Sequence, residues 1–322
     1  MRVSSMPGAA DAFEPESEAP RWFTVSVDDG GHLPVHFGEK IIFHGINKSG
    51  SLCLTNVMKD AFAVAGRAAQ FHSRYYNAGV SLPSFLRSIK DTPPPGFFVA
   101  HQLFGNVDLS DSNIAMITQF RHPVPRLMSC YTWLRRKYIL ASGSADGFPG
   151  FEVFLRKGAG KSHSQIIQFG AGYGEDQRRL VASLTTRDLF ERSVENIERF
   201  VCFAGIAELF EETIFVVAHL CGIRRVSAWK RDQRNLSRPP VSTFSGATID
   251  LIREIYYYDF ELYDWAKRRF ERLLSQIHIG GEIEAYREKC ASQYNDRLLT
   301  IDKPDSISGD TETADEQPSH GA

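Results

Sequence analysis

Apolar residues recur along this chain in two rhythms. Short continuous runs are bounded by glycine or proline, and longer stretches return an apolar side chain every three or four positions. The first rhythm predicts buried strands, the second amphipathic helices. Residues 40–44 open the pattern as a strand of β-branched and aromatic residues that ends at Gly45, and residues 52–69 continue with helical spacing. Asp91-Thr92-Pro93-Pro94-Pro95-Gly96 is a hard break, after which residues 97–100 and 113–120 read as two more strands, the latter ending at Arg121. Pro123 and Pro125 suit the first turn of a helix in which Leu127, Cys130, Tyr131 and Leu134 recur. Residues 141–174 are Gly-rich and predict a long irregular excursion, a functional loop or lid. Further on, residues 178–184 and 194–199 predict helices, 200–205 a strand, 208–221 an amphipathic helix closed by Gly222, and 247–274 a largely helical stretch. Strands alternating with helices predict an α/β fold with a central parallel sheet flanked by helices on both faces.

With 322 residues, the chain can bury the core of one large domain or two smaller ones. A net charge of −2 excludes a general nucleic-acid binder, so any anion site must be built locally. The five cysteines (Cys53, Cys130, Cys202, Cys221, Cys290) are scattered and lack C-x-x-C spacing, which fits a reduced cytosolic setting with neither a zinc site nor a disulfide framework. Residues 1–20 are rich in Ala, Glu, Ser and Pro and read as neither signal peptide nor anchor. No window approaches a transmembrane span. The expected organisation is a disordered segment over 1–21, one domain over 22–302 and a disordered acidic tail over 303–322. Nothing in the pattern specifies an oligomeric state.

Three features carry candidate chemistry. The first is the turn Asn47-Lys48-Ser49-Gly50-Ser51-Leu52-Cys53, where a strand meets a helix N-terminus. Backbone N–H groups and the helix dipole there favour an anion. Lys48 adds a cation, Ser49 and Ser51 hydroxyls, and Gly50 a close-approaching backbone. It is not a Walker A loop, because Lys48 precedes the Gly-Ser pair. A plain helix-capping turn with a surface lysine is the alternative, and Cys53 alone reads as a small buried hydrophobe. The second feature is Arg121 at a strand end, where open α/β sheets bind ligands, with Ser129 about two helical turns on and able to serve the same phosphate. Arg126 between them reads as a solvated helix residue. The third is His101, just beyond a strand, which is a candidate general base or else a structural histidine. His72 and His163 are the next bases to consider.

Taken together, these features resemble the PAPS-dependent sulfotransferases, in particular the branch containing carbohydrate and uronosyl 2-O-sulfotransferases. The family's opening P-K-T-G-S/T-T-S aligns with residues 47–53, from which Asn47, Leu52 and Cys53 depart. Its R-D-P and R-L-x-S-x-Y elements align with Arg121-His122-Pro123 and Arg126-Leu127-Met128-Ser129-Cys130-Tyr131, with His122 in place of Asp. His101 parallels the branch's catalytic histidine, and Phe203-Ala204-Gly205-Ile206-Ala207-Glu208 its V-G-x-T-E segment. Arg234-Asn235-Leu236-Ser237 resembles the K-N-x-S loop that closes over the nucleotide, and Asp259-Phe260-Glu261-Leu262-Tyr263 a later D-x-x-L-Y helix. The resemblance implies a P-loop-like sulfotransferase fold and PAPS as co-substrate. It implies that Lys48, Ser49, Gly50, Ser51, Leu52 and Cys53 hold the phosphosulfate, Arg121 and Ser129 the 3′-phosphate, and Arg234 and Ser237 the nucleotide. Lys48 and His101 would then be catalytic, and the acceptor a hydroxyl on a saccharide or glycolipid precursor in the cytoplasm. No metal is expected, since sulfuryl carries less charge than a γ-phosphoryl group and no apolar strand ends in a Walker B-like Asp. The alternatives are a small-molecule P-loop kinase using ATP and magnesium, and a non-catalytic nucleotide-binding module.

Overall fold

The apolar run Lys40–Gly45 (β1) is the central strand of a five-stranded, all-parallel sheet. The computed structural model describes residues 40–73, 82–92, 96–101, 114–157, 164–171, 175–223, 226, 244–277, 281, 283–289 and 292. The other strands are Phe71–Ser73 (β2), Gly96–His101 (β3), Ile114–Phe120 (β4) and Val201–Ile206 (β5), in the spatial order β2-β3-β1-β4-β5. Strands buried on both faces read as near-continuous apolar runs, and every residue of β5 and all but the first of β1 and β4 are buried.

Ser51–Val64 (α1) covers one face, its Phe62 ring 5.7 Å from Phe97 of β3. Leu82–Asp91 (α2) covers the other, where Phe85 meets Phe98. Adjacent strand residues point to opposite faces, so Phe97 and Phe98 fix the two layers. After β4 come Pro123–Ser142 (α3), Phe151–Arg156 (α4), Gln165–Gly170 (α5), Glu175–Ser183 (α6) and Thr186–Phe200 (α7). After β5 come Phe210–Leu220 (α8), Gly246–Ile255 (α9) and Tyr257–Gln276 (α10). Thr213 of α8 packs so closely on Gly205 of β5 that a Cβ there would collide with the threonine's Cγ2. Thr213 Oγ1 also accepts from Ile206 N and donates to Ile206 O, both at 3.0 Å. Among the described residues, no helix is long and apolar enough to cross a membrane.

Several sequence expectations change. The helix expected over 52–69 stops at Val64, because the N–H groups of Gly66 and Arg67 turn back to Ala63 and Phe62 in a Schellman closure. The same closure ends α8 at Gly222, as expected. β2 and α2 are additional elements, and a three-residue strand is too short to show a period. The excursion expected over 141–174 holds two short helices, and α5 is buried throughout. It has little helical signal of its own. Asp259 of α10 caps it, with Ser164 Oγ donating to Oδ2 and Gln165 N to Oδ1, each at 2.6 Å. Ser193 of α7 donates to Ile166 O from the other side. The stretch expected over 247–274 breaks at buried Tyr256 into α9 and α10. Arg126 is not a solvated helix residue. It is 0% exposed and its Nη2 lies 3.9 Å from Asp259 Oδ1, because α3 turns that face toward α10. Residues 1–21, 303–322 and the segment 230–240 that carries Arg234 and Ser237 lie outside the described residues.

Candidate anion-binding site

The chain leaves β1 for β2 at one edge of the sheet and leaves β4 for β5 at the other. The switch point therefore falls between β1 and β4, where open parallel sheets take ligands beyond their C-terminal ends. The turn over residues 46–50 sits there, between β1 and α1. Gly50 adopts φ 83° as the N-cap of α1, and Lys48 adopts φ 66°. A left-handed lysine costs roughly 1–2 kcal/mol, so the surrounding contacts must impose it. Ser49 N and Ser51 Oγ both donate to Ile46 O, at 3.2 and 2.9 Å, and close the turn. In this structure the hydroxyl of Ser51 thus holds the loop shut. The first N–H groups of an α-helix have no carbonyl one turn back to bind, and in α1 these belong to Ser51, Leu52 and Cys53. No acidic residue stands in that first turn.

Arg121 reaches this loop. Its Nη1 donates to Lys48 O at 3.0 Å, while its backbone N donates to Gln165 Oε1 at 3.0 Å. The ammonium of Lys48 lies 4.3 Å from the centre of the Trp133 ring on α3, and that of Lys137 lies at the same distance from it. Burial pushes the Lys48 pKa down, with Cys130 opposing the shift and Lys137 adding to it. Ser129, Trp133 and Lys137 recur at four-residue spacing and so share a face of α3. The loop therefore meets the Ser129 face of α3 and the Arg121 strand end together. Cys53 is half-buried; burial raises its thiol pKa and nearby Arg121 opposes the rise. Leu52 is exposed.

His101 forms the last register pair of the β1–β3 ladder, opposite Gly45, immediately before the loop. Its side chain lies outside the described residues, as do His163, Arg234 and Ser237. His72 lies on β2, its ring stacked on Phe98 at 4.9 Å.

Four buried polar atoms cluster around the loop without a hydrogen-bond partner among the described residues: Ser49 Oγ, both amide atoms of Gln119, and Gln165 Nε2. A Cβ on Gly50 would stand 3.2 Å from Gln119 Nε2, so the missing side chain leaves room for that amide beside the first turn of α1. Each such group left unsatisfied costs about 1–3 kcal/mol. Gln119 and Gln165 were not among the residues singled out from the sequence. The available signal for Gln119 was one amide near the end of the mostly apolar strand Ile114–Phe120. Gln165 sat in a segment expected to be irregular.

A second layer holds these elements in place. Glu208 accepts from His122 N at 3.2 Å and from Tyr263 Oη at 3.0 Å. Burial depresses the His122 pKa, with Glu208 opposing, and His122 Nδ1 accepts from Val124 N to cap α3. The polar ends of the stretch Asp259–Tyr263 are thus structural ties, one to Arg126 and α5, the other to Glu208. Fold and site together define an α/β protein with a candidate anion-binding loop at its topological switch point. No protein-family model matches the chain, and no curated protein matches it either.

Proposed function

We propose that this protein is a PAPS-dependent sulfotransferase of P-loop-like fold, passing a sulfuryl group to a hydroxyl of a saccharide or glycolipid precursor in the cytoplasm. One observation carries the reading: the Arg121 guanidinium is bonded to the backbone of Lys48, so two cationic motifs 73 positions apart meet at the switch point. A ligand with anionic groups at both ends needs such a pair of adjoining sites. The unpartnered donors on Ser49, Gln119 and Gln165 fit an anion seated among them.

In this reading, Lys48 and the first N–H groups of α1 hold the phosphosulfate, and Arg121 and Ser129 hold the 3′-phosphate. Arg234 and Ser237 belong to the nucleotide-closing loop. The sulfur–oxygen bond to the acceptor forms as the bond to the bridging oxygen breaks. Lys48 stabilises the charge that develops on that oxygen, and the loop N–H groups keep the transfer in line. His101 takes the proton of the acceptor hydroxyl.

Thermal unfolding with adenosine 3′,5′-bisphosphate, AMP and ATP tests the reading. Ligand at about a hundredfold over its Kd stabilises the native state by ~2.7 kcal/mol, so the bisphosphate should raise the midpoint most. Equal shifts with all three would sink the proposal, and a preference for ATP with magnesium would favour a kinase. His101→Gln should lower kcat/KM on the order of 10²-fold while bisphosphate affinity stays near that of the wild type. Full activity in that variant would move the base elsewhere, with His72 and His163 next to test.

A further inference from the structure

Resting on the anion-site part of the preceding reading, we infer that Gln119 is a ligand-binding residue. Its carboxamide donates to an oxygen of the anion held at the N-terminus of α1, and the Ser49 hydroxyl is a second neutral donor.

Gln119 is fully buried, yet neither its oxygen nor its nitrogen has a hydrogen-bond partner among the described residues. An amide stranded in this way is retained at a cost that Met or Leu in the same strand would not incur. Its surroundings are built around it. On the loop side, its nitrogen approaches Gly50 so closely that a Cβ there would stand at 3.2 Å. Gly50 is the N-cap of a 14-residue helix whose first turn carries no carboxylate. Ser49, the residue before it, is 0% exposed with its hydroxyl also unpartnered. Two uncharged donors thus stand beside the positive end of α1, and the formal charge comes from Lys48 in the same turn and from Arg121, which is bonded to it.

Gln119→Met tests this, because it keeps the size of the side chain and deletes only its polar atoms. The probes are pyrophosphate and adenosine 3′,5′-bisphosphate, each titrated against wild type and variant, with the ligand-free melting midpoint measured alongside. The variant should melt at or above the wild-type midpoint, since an unsatisfied amide has been removed. It should bind both probes about tenfold more weakly, the loss expected for one hydrogen bond to a charged group. A glutamine of purely structural value gives the opposite pair of results, a lower midpoint with unchanged affinity, and would overturn the inference. If Gln119→Met does not fold, Gln119→Glu decides the question: affinity at neutral pH falls at least tenfold by charge repulsion, and wild-type affinity overturns the inference. A wild type that responds to pyrophosphate but not to the bisphosphate removes the nucleotide reading and leaves Gln119 to be judged on pyrophosphate alone. A wild type that responds to neither removes both.

Discussion

Lys48→Ala should lower kcat for sulfuryl transfer by about 10³-fold while the affinity for adenosine 3′,5′-bisphosphate falls far less. Deleting one preorganised donor to a developing charge costs roughly 2.7–4 kcal/mol in the transition state. A group that acts mainly on the leaving oxygen shows its loss in kcat, not in ground-state binding. The fold should survive the change. Alanine inherits the strained left-handed backbone, and the lost contact with Trp133 is worth only ~0.5–2 kcal/mol. Lys48→Gly supplies the control. It relieves the φ 66° strain and should melt above Lys48→Ala, yet be equally inactive. Lys48→Arg should not restore the rate, because a broad planar guanidinium does not reproduce the compact point charge that an ammonium presents to the leaving oxygen. Single-turnover rates set against equilibrium binding separate the two effects. A Lys48→Ala enzyme with wild-type kcat and a raised KM would show that the lysine binds and does not catalyse.

What the sequence disclosed, and what it hid, follows from the range of the interactions involved. β1, β3, β4 and β5 were legible because a strand buried on both faces must be apolar over most of its length, and that requirement is written locally. The Gly222 cap was legible for the same reason. α5 was not, since its six residues rely on Asp259, ninety-four positions after Gln165, and on Ser193 for their support. Arg126 was misplaced on the surface because its partner Asp259 lies in another helix. At the candidate site, Lys48, Gly50 and Arg121 stood out by type and position. The bond from Arg121 to Lys48 did not, nor did the commitment of the Ser51 hydroxyl to Ile46. Gln119 is informative only once its isolation is known, and isolation is a property of three dimensions.

Asp259→Ala should be the most destabilising single change predicted for this chain, about 3–5 kcal/mol. The Asp259 carboxylate is 1% exposed and serves three groups at once: the Arg126 guanidinium, Ser164 Oγ and Gln165 N. Removing it deletes the carboxylate beside a fully buried cation and uncaps α5 in the same step. For a domain of this size, such a loss lowers the melting midpoint on the order of 10 °C. The damage should also reach the anion site. Gln165, at the start of α5, accepts from Arg121 N, and Arg121 in turn bonds to Lys48 O, so a loosened α5 frees the strand end that holds the loop. Bisphosphate affinity measured well below the midpoint should therefore fall as well. The double variant Arg126→Met, Asp259→Leu should regain much of the lost stability, because an apolar pair of similar volume carries no stranded charge. It should not regain the affinity, because leucine cannot cap Gln165. Recovery of stability and affinity together would show that α5 stands without its cap, and that the tie from Asp259 to the loop does not transmit.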